Sequence, residues 1–149
     1  MGPIVVSVDG SDGARAALRV ARDLAEPLGA RLVLVNVGPP TEAPGVSTAP
    51  AGQQRLREAE LEDARETLGQ AAAEAGLGDE VELRAEIGRP ADRIVALCGE
   101  LGASFVVLGS RGRGGLKSAV LGSVSNAVAS TAPCPVVIVP PDAASSSGR

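Results

Sequence analysis

The sequence predicts an α/β protein with one open parallel sheet and helices on both of its faces. Short apolar runs typical of strands alternate with longer segments whose apolar residues recur at helical spacing. Residues 31–37 are apolar at nearly every position, as in a strand that is covered on both sides. The order is β-α-β-α-β-α-β-α-β without an internal repeat, in a chain of 149 residues. We therefore expect a single domain with a substantial core.

The first half of the chain contains two predicted strands and two predicted helices. Residues 4–8 form a compact apolar strand, and Ser11 or Asp12 is placed to cap a helix that ends at Gly29. After the strand at 31–37, residues 38–52 carry four prolines and no periodicity. This segment is either a flexible lid or a variable insertion, and we favour a mobile loop near the site. A second helix then runs from about residue 53 to residue 75.

The second half of the chain contains three more strands. Residues 81–87 alternate between apolar and charged side chains, which places this strand at an edge of the sheet. Pro90 begins the third helix, where its missing N–H costs nothing. Residues 105–108 and 136–139 are the fourth and fifth strands, separated by a fourth helix. The domain spans residues 1–140, and residues 141–149 form a flexible tail.

Composition and charge exclude several classes of function. The chain has no His, Trp or Tyr, so it offers no histidine base or ligand and only Phe105 for stacking. Its net charge of −4 argues against nucleic acid as the main partner. Cys98 and Cys134 read as two buried or half-buried thiols, and no metal site is predicted. Since no apolar run reaches the ~18 residues of a membrane span and no signal pattern is seen, we expect a cytoplasmic protein.

The segment from Gly109 to Ser123 carries the clearest chemical signal. It is a glycine-rich loop between a strand and the opening of a helix, an arrangement in which backbone N–H groups and the helix dipole favour an anion. Arg111, Arg113 and Lys117 add positive charge to it. The pattern indicates a phosphate group.

Neither of the best-known phosphate motifs fits this loop. A P-loop requires Gly before Lys-Ser, but Leu116 precedes Lys117. The dinucleotide fingerprint requires a third Gly at position 117, and it follows the first strand rather than the fourth. Asp9, at the end of strand one, and Val37, at the end of strand two, reach the same sheet edge as the loop, where ligands of open parallel sheets bind.

The spacing Gly109-x-x-Gly112, nine residues, then Gly122-Ser123 resembles the ATP-binding subgroup of the universal stress protein family. The resemblance covers nearly the whole chain. It implies the strand order 3-2-1-4-5 of a Rossmann-like adenine-nucleotide-binding fold. It also implies a homodimer through strand five, and this apolar strand lies at a sheet edge in that order.

The same resemblance implies roles for individual residues. Asp9 would accept hydrogen bonds from the ribose hydroxyls or from adenine. Val8 and Val37 would form apolar walls for the base. The glycines would let the backbone approach the ribose and phosphates, and the start of the last helix would present N–H groups to the phosphate chain. The candidate binding residues, with two loop arginines included for their charge, are Val8, Asp9, Val37, Gly109, Arg111, Gly112, Arg113, Gly122, Ser123 and Val124.

Each feature also has an explanation without a ligand. Asp9 could be only a turn residue, and the loop glycines could mark nothing more than mobility. Arg111 and Arg113 could be solvated surface charges. Gly122 and Ser123 could mark only the start of a helix, without binding an anion.

Three functions remain open at this level. The first is an ATP-binding regulator of a stress response, with Mg²⁺ or Mn²⁺ held through the phosphates. The second is a slow ATPase, although the sequence provides no evident nucleophile or paired carboxylates and we assign no catalytic residue. The third is an interaction module that has lost nucleotide binding, which the intact glycine spacing disfavours.

Overall fold

A computed structural model of the protein describes residues 1–41, 49–111 and 121–141. The described chain folds into strands and helices that alternate as predicted. In order they are β1 (Ile4–Ser7), α1 (Asp12–Leu28), β2 (Leu32–Gly38), α2 (Pro50–Glu74), β3 (Glu82–Ile87), α3 (Pro90–Leu101), β4 (Phe105–Gly109), α4 (Ser123–Thr131) and β5 (Val136–Val139).

The strands form one parallel sheet in the order β3-β2-β1-β4-β5. In the centre, Val5 of β1 is aligned with Val33 of β2 and Val106 of β4. All three of these valines are fully buried, which explains why the central strands are apolar on both faces. The predicted fold class and strand order are confirmed, and β3 lies at an edge as its alternating pattern indicates.

The helices divide between the two faces of the sheet. On one face α1 and α2 pack on the even-numbered side chains of β1, including Val6, in a cluster that contains Leu18 and Leu68. On the other face α3 and α4 pack on Val5 and its neighbours. Because consecutive strand residues point to opposite faces, each face receives its own apolar layer.

Most helix ends follow the predicted signals. The Ser11 side chain caps α1 by accepting a hydrogen bond from the Ala14 N–H at 3.1 Å, and Gly29 ends α1 in the left-handed conformation with φ 61°. Pro90 is the first residue of α3. The α2 helix begins at Pro50, earlier than the predicted start near residue 53, because proline is favoured in a first helical turn.

The predicted mobile loop and the predicted tail lie partly outside the described residues. Residues 42–48, the middle of the predicted mobile loop, and residues 142–149, nearly all of the predicted tail, belong to this part of the chain. Within the described ranges, no helix is both long and apolar enough to cross a membrane.

Candidate functional site

The turn between β1 and α1 holds Asp9 at the carboxyl edge of the sheet. The Val8 N–H still donates to the Val35 carbonyl at 2.8 Å, so the chain leaves the sheet only after Val8. Ser11 donates to Oδ1 of Asp9 from its N–H, at 2.9 Å, and also from its hydroxyl. Gly10, between them, has a φ of 82°, a conformation that favours glycine. The Asp9 carboxylate is partly buried, and it is oriented by its own turn.

The first turn of α1 lies directly against the end of β4. A Cβ atom built on Gly109 would lie 2.8 Å from the carbonyl carbon and oxygen of Gly13. A Cβ atom on Gly13 would lie 2.7 Å from the Arg111 carbonyl oxygen. Both positions therefore need glycine for backbone packing. This requirement is separate from the predicted role of Gly109 toward a nucleotide, which stays a prediction.

The start of α4 is tied to the end of β4 by the carbonyl of Ser110. This oxygen accepts hydrogen bonds from the Gly122 N–H at 2.6 Å and from the Ser125 hydroxyl at 2.9 Å. Ser110 and Ser125 are both buried. Gly122 is the N-cap residue of α4, and none of the described residues caps this helix with its side chain. The first N–H groups of α4 and the positive end of its dipole are thus held beside β4, and the N-cap glycine offers them no side-chain acceptor.

These contacts connect the Asp9 turn with the start of α4. The turn leads into Gly13, which lies against Gly109, and the neighbouring Ser110 holds Gly122. The carboxylate of Asp9 and the N-terminus of α4, although far apart in sequence, are therefore on the same edge of the sheet. Ser123 at that terminus is exposed, and Val124 is half-buried against the α3–α4 side of the core.

The two predicted apolar walls lie on opposite faces of the sheet. Val8 is 2% exposed and packs in the cluster beneath α1 and α2. Val37 is half-buried and packs against the cluster beneath α3 and α4. A base that contacts both side chains must therefore lie across the edge of the sheet.

The remaining predicted positions are described only in part. Arg111 is half-buried at the start of the loop after β4. Gly112 and Arg113 lie outside the described residues, as does Lys117.

Sequence reasoning missed four residues that position the site. Gly13, Ser110 and Ser125 make the contacts described above, and the Asn36 side-chain amide donates to the Val8 carbonyl at 2.5 Å. Gly13 carried a usable signal, since a glycine in the first turn of a helix is unfavourable unless packing requires it. The serines carried none, because their partners become neighbours only in the folded chain.

The acidic and thiol groups do not form a metal centre in the part of the chain that is described. No group of three or more Asp, Glu or Cys side chains lies close enough there to hold a metal ion. Cys98 and Cys134 belong to the same apolar cluster beneath α3 and α4, and burial raises the pKa of both thiols.

Comparison with known proteins identifies the family. The profile of the universal stress protein family matches residues 1–140. A universal stress protein of Thermus aquaticus is 39% identical over 137 residues, which cover 91% of this chain and 96% of that protein. The chain belongs to the universal stress protein family.

Two solved structures of the family contain an adenine nucleotide. The universal stress protein from Archaeoglobus fulgidus in complex with dAMP is 29% identical, with a TM-score of 0.68 and coverage of 93% of this chain and 98% of that one. A universal stress protein in complex with cAMP is 27% identical, with a TM-score of 0.68 and coverage of 93% and 96%. Adenine nucleotides are therefore ligands of proteins that share this fold and family.

Proposed function

We propose that this protein binds ATP at the carboxyl edge of its sheet and acts as a nucleotide-dependent regulator in a stress response. The observation that carries the proposal is the placement of the uncapped α4 N-terminus on the same edge as the oriented Asp9 carboxylate. A phosphate chain needs N–H donors and a positive field, and a ribose needs an acceptor for its hydroxyls. The family members that contain dAMP and cAMP support adenine as the base.

In this proposal each predicted residue has a defined task. The N–H groups of Ser123 and Val124 donate to the phosphates, and Gly122 leaves room for them beside the helix. Asp9 accepts from the ribose hydroxyls, while the base lies across the sheet edge between Val8 and Val37. Arg111, with Gly112 and Arg113 in the loop, adds positive charge and close backbone approach at the phosphate end.

Mg²⁺ or Mn²⁺ would be held mainly through the phosphates. The described residues offer no cluster of three acidic or thiol ligands, whereas Mg²⁺ in nucleotide sites commonly keeps several waters and binds substrate phosphates. The metal neutralises phosphate charge, and no side chain of this chain is assigned as its direct ligand.

Binding is tested by calorimetric titration of the full chain with Mg²⁺-ATP. Hydrogen bonds to charged groups contribute about 1.5–3 kcal/mol, so Asp9→Ala is expected to weaken binding roughly ten- to hundredfold. Gly122→Val should weaken it further, because a branched side chain would stand in the phosphate approach. Asp79→Ala removes an exposed carboxylate outside the site and serves as the matched control.

Two outcomes would contradict the proposal. ATP in large excess over the protein should raise its thermal midpoint, since a ligand at 100 times its Kd stabilises the fold by about 2.7 kcal/mol. A thermal midpoint that stays unchanged with ATP, AMP and cAMP would indicate that the protein is an interaction module that does not bind nucleotides. Release of phosphate from ATP over many turnovers would indicate that the protein is a slow ATPase and not a regulator.

The same proposal includes a homodimer through β5 and a cytoplasmic location. β5 lies at a sheet edge, and its first three residues are only half-buried in the single chain. An edge of this kind can pair with a second copy about a two-fold axis. The net charge of −4 favours small-molecule and protein partners over nucleic acid.

A further inference from the structure

A groove separates α1 from α2 on the face of the sheet opposite Val37. It encloses a cavity of about 230 Å³ next to the Asp9 turn. The cavity exists because the facing side chains near its floor are small or short. Its apolar floor is formed by Val8, Ala14, Leu18, Ala71 and Ala75.

One wall of the groove is a row of arginines on α1. Arg15, Arg19 and Arg22 are three or four residues apart, so they project from the same side of the helix. Arg15 donates to Glu74 at 3.0 Å and to Asp12 at 2.6 Å. Its charge is therefore already balanced by acidic partners.

The other two arginines differ in the hydrogen bonds and ion pairs that they make. Arg22 donates to the Ala75 carbonyl at 2.9 Å and lies 3.9 Å from a carboxylate oxygen of Asp23. Arg19, between Arg15 and Arg22, makes no hydrogen bond or ion pair with any residue in the described ranges. The cation in the middle of the groove is thus available to a ligand.

The opposite wall and the upper end supply uncharged polar groups and one carboxylate. Thr67 and Gln70 line the groove from α2, and Thr67 approaches the turn, since a Cβ on Gly10 would lie 4.0 Å from its methyl carbon. Asp9 lies at the upper end, and both hydrogen bonds that described residues make to it end on Oδ1. A hydroxyl, an amide and a carboxylate together suit ligand hydroxyl groups.

The size and charge of the groove define the class of ligand. Its charged lining is Arg15, Arg19 and Arg22 against Asp9 and Glu74. Since Arg15 and Arg22 also lie next to Asp12 and Asp23, Arg19 is the cation left for an anionic ligand among the described residues. At about 30 Å³ per water molecule, 230 Å³ corresponds to roughly eight waters, which is below the range of drug-sized pockets. A small metabolite fits, and a folded partner does not.

We propose that this groove is a second ligand site, distinct from the α4 terminus, for a small hydroxylated organic anion of the sugar monophosphate class. The anionic group binds Arg19, and the hydroxyls face Asp9, Thr67 and Gln70. Arg19 lies about 10 Å along α1 from Asp12, the first residue of the helix, at 1.5 Å per residue, and the Asp9 turn adjoins that end of the helix. The carbon skeleton lies on the apolar floor.

The proposal does not depend on nucleotide binding, although both sites include Val8 and Asp9. The phosphate positions differ, because Arg19 is on α1 beneath one face of the sheet and Ser123 begins α4 on the other. Variants of Arg19 and Gln70 therefore test the groove without touching the α4 terminus.

The test is an NMR titration of the full chain with ribose 5-phosphate, followed through backbone amides. We expect shifts at Leu18, Arg19 and Gln70, and at least tenfold weaker binding in Arg19→Gln, since a charge-assisted hydrogen bond is lost. Gln70→Ala should weaken binding to a smaller extent. Arg55→Gln, which removes an exposed arginine outside the groove, should leave the affinity unchanged.

Comparison probes decide the ligand class. Neutral ribose and inorganic phosphate should each bind more weakly than ribose 5-phosphate. Equal affinity for inorganic phosphate would overturn the hydroxylated class, and shifts confined to residues 122–125 would overturn the groove as the site. An affinity equal in Arg19→Gln and in the parent protein would do the same.

Discussion

At the scale of single residues, two glycines set the distance between α1 and β4. Gly13 and Gly109 bring backbone against backbone, with less than 3 Å between a hypothetical Cβ on either one and the atoms facing it. No flexible side chain stands in these contacts, so any added atom must move the main chain. Gly109, one glycine of the pattern that resembles a nucleotide-binding loop, is therefore also required by the packing of α1 on β4.

Gly109→Ala is expected to lower the free energy of unfolding by about 1–3 kcal/mol, the usual cost of overpacking a close contact. The measurement is urea unfolding followed by circular dichroism. Gly69→Ala is the matched control, because a Cβ there meets nothing within 4 Å and alanine favours the helix by up to about 1 kcal/mol. A Gly109→Ala protein as stable as the parent would show that the two elements can separate without cost.

The two thiols make stability depend on pH in the alkaline range. Burial raises the pKa of Cys98 to about 12, with a further contribution from the neighbouring Cys134 thiol. An exposed thiol in the unfolded chain titrates near 8.5, so the folded state favours the protonated thiol. This contribution is complete below about pH 8.5 and is lost as the pH rises toward the folded value.

We expect the free energy of unfolding to fall between pH 8 and 10, and to fall less steeply in Cys98→Ala. Urea unfolding at several pH values measures how steeply the free energy of unfolding falls with pH in each protein. The difference between the two proteins isolates Cys98, because every other titrating group is present in both. Parallel slopes would mean that the Cys98 thiol titrates alike in the folded and unfolded chain.

At the scale of elements, the N-termini of α1 and α4 differ in how their first N–H groups are satisfied. α1 is capped by the Ser11 hydroxyl, which also donates to Asp9. α4 begins at a glycine N-cap, receives no side-chain cap from the residues that the structure describes, and is held instead through the Ser110 carbonyl. A capped terminus has already satisfied part of its donor capacity, and an uncapped one retains it for water or an anion.

Ser11→Ala should cost about 1 kcal/mol of stability, because the Ala14 N–H loses its acceptor and Asp9 loses the hydroxyl donor while it keeps the backbone N–H donor of residue 11. Thermal unfolding measures the loss. Ser130→Ala is the comparison, since its hydroxyl donates only to a carbonyl of its own helix, Asn126, at an exposed position, and a change within ±0.5 kcal/mol is expected. Equal effects of the two substitutions would exclude a special role for the cap.

At the scale of the whole molecule, the sheet has two unlike edges. The β3 edge carries charged residues, including Glu82 and Arg84, which form an ion pair at 3.0 Å. The β5 edge carries only valine and isoleucine in the four residues of the strand. Charges protect an edge from pairing and apolar residues do not, so association is expected at β5.

Val137→Lys should convert the proposed dimer to a monomer, because the substitution places a charge twice in one apolar contact. Sedimentation at tens of micromolar measures the mass, and urea unfolding verifies that the variant is folded. Leu83→Lys makes the same change on β3, where Leu83 is 42% exposed, and should leave the mass unchanged. A parent protein that sediments as a monomer would show that the β5 edge is protected without a second copy.

The sequence by itself determined the elements and the class of sheet. Each of these depends on neighbours along the chain: the alternation at 81–87 marked an edge strand, and Ser11, Gly29 and Pro90 marked helix ends. Hydrophobic period, capping and proline geometry are local properties, so they can be read without knowing which strands pair. The strand order came from family resemblance.

Only the tertiary structure decided which residues share a face and which helices leave a gap. Val8 and Val37 lie on opposite faces because Ser7 is aligned with Val35, and such a register between strands is not encoded locally. The Gly13–Gly109 contact and the Arg15–Glu74 ion pair likewise join residues far apart in the chain. Distances of this kind arise from packing whole elements on a sheet, which no pattern within one element specifies.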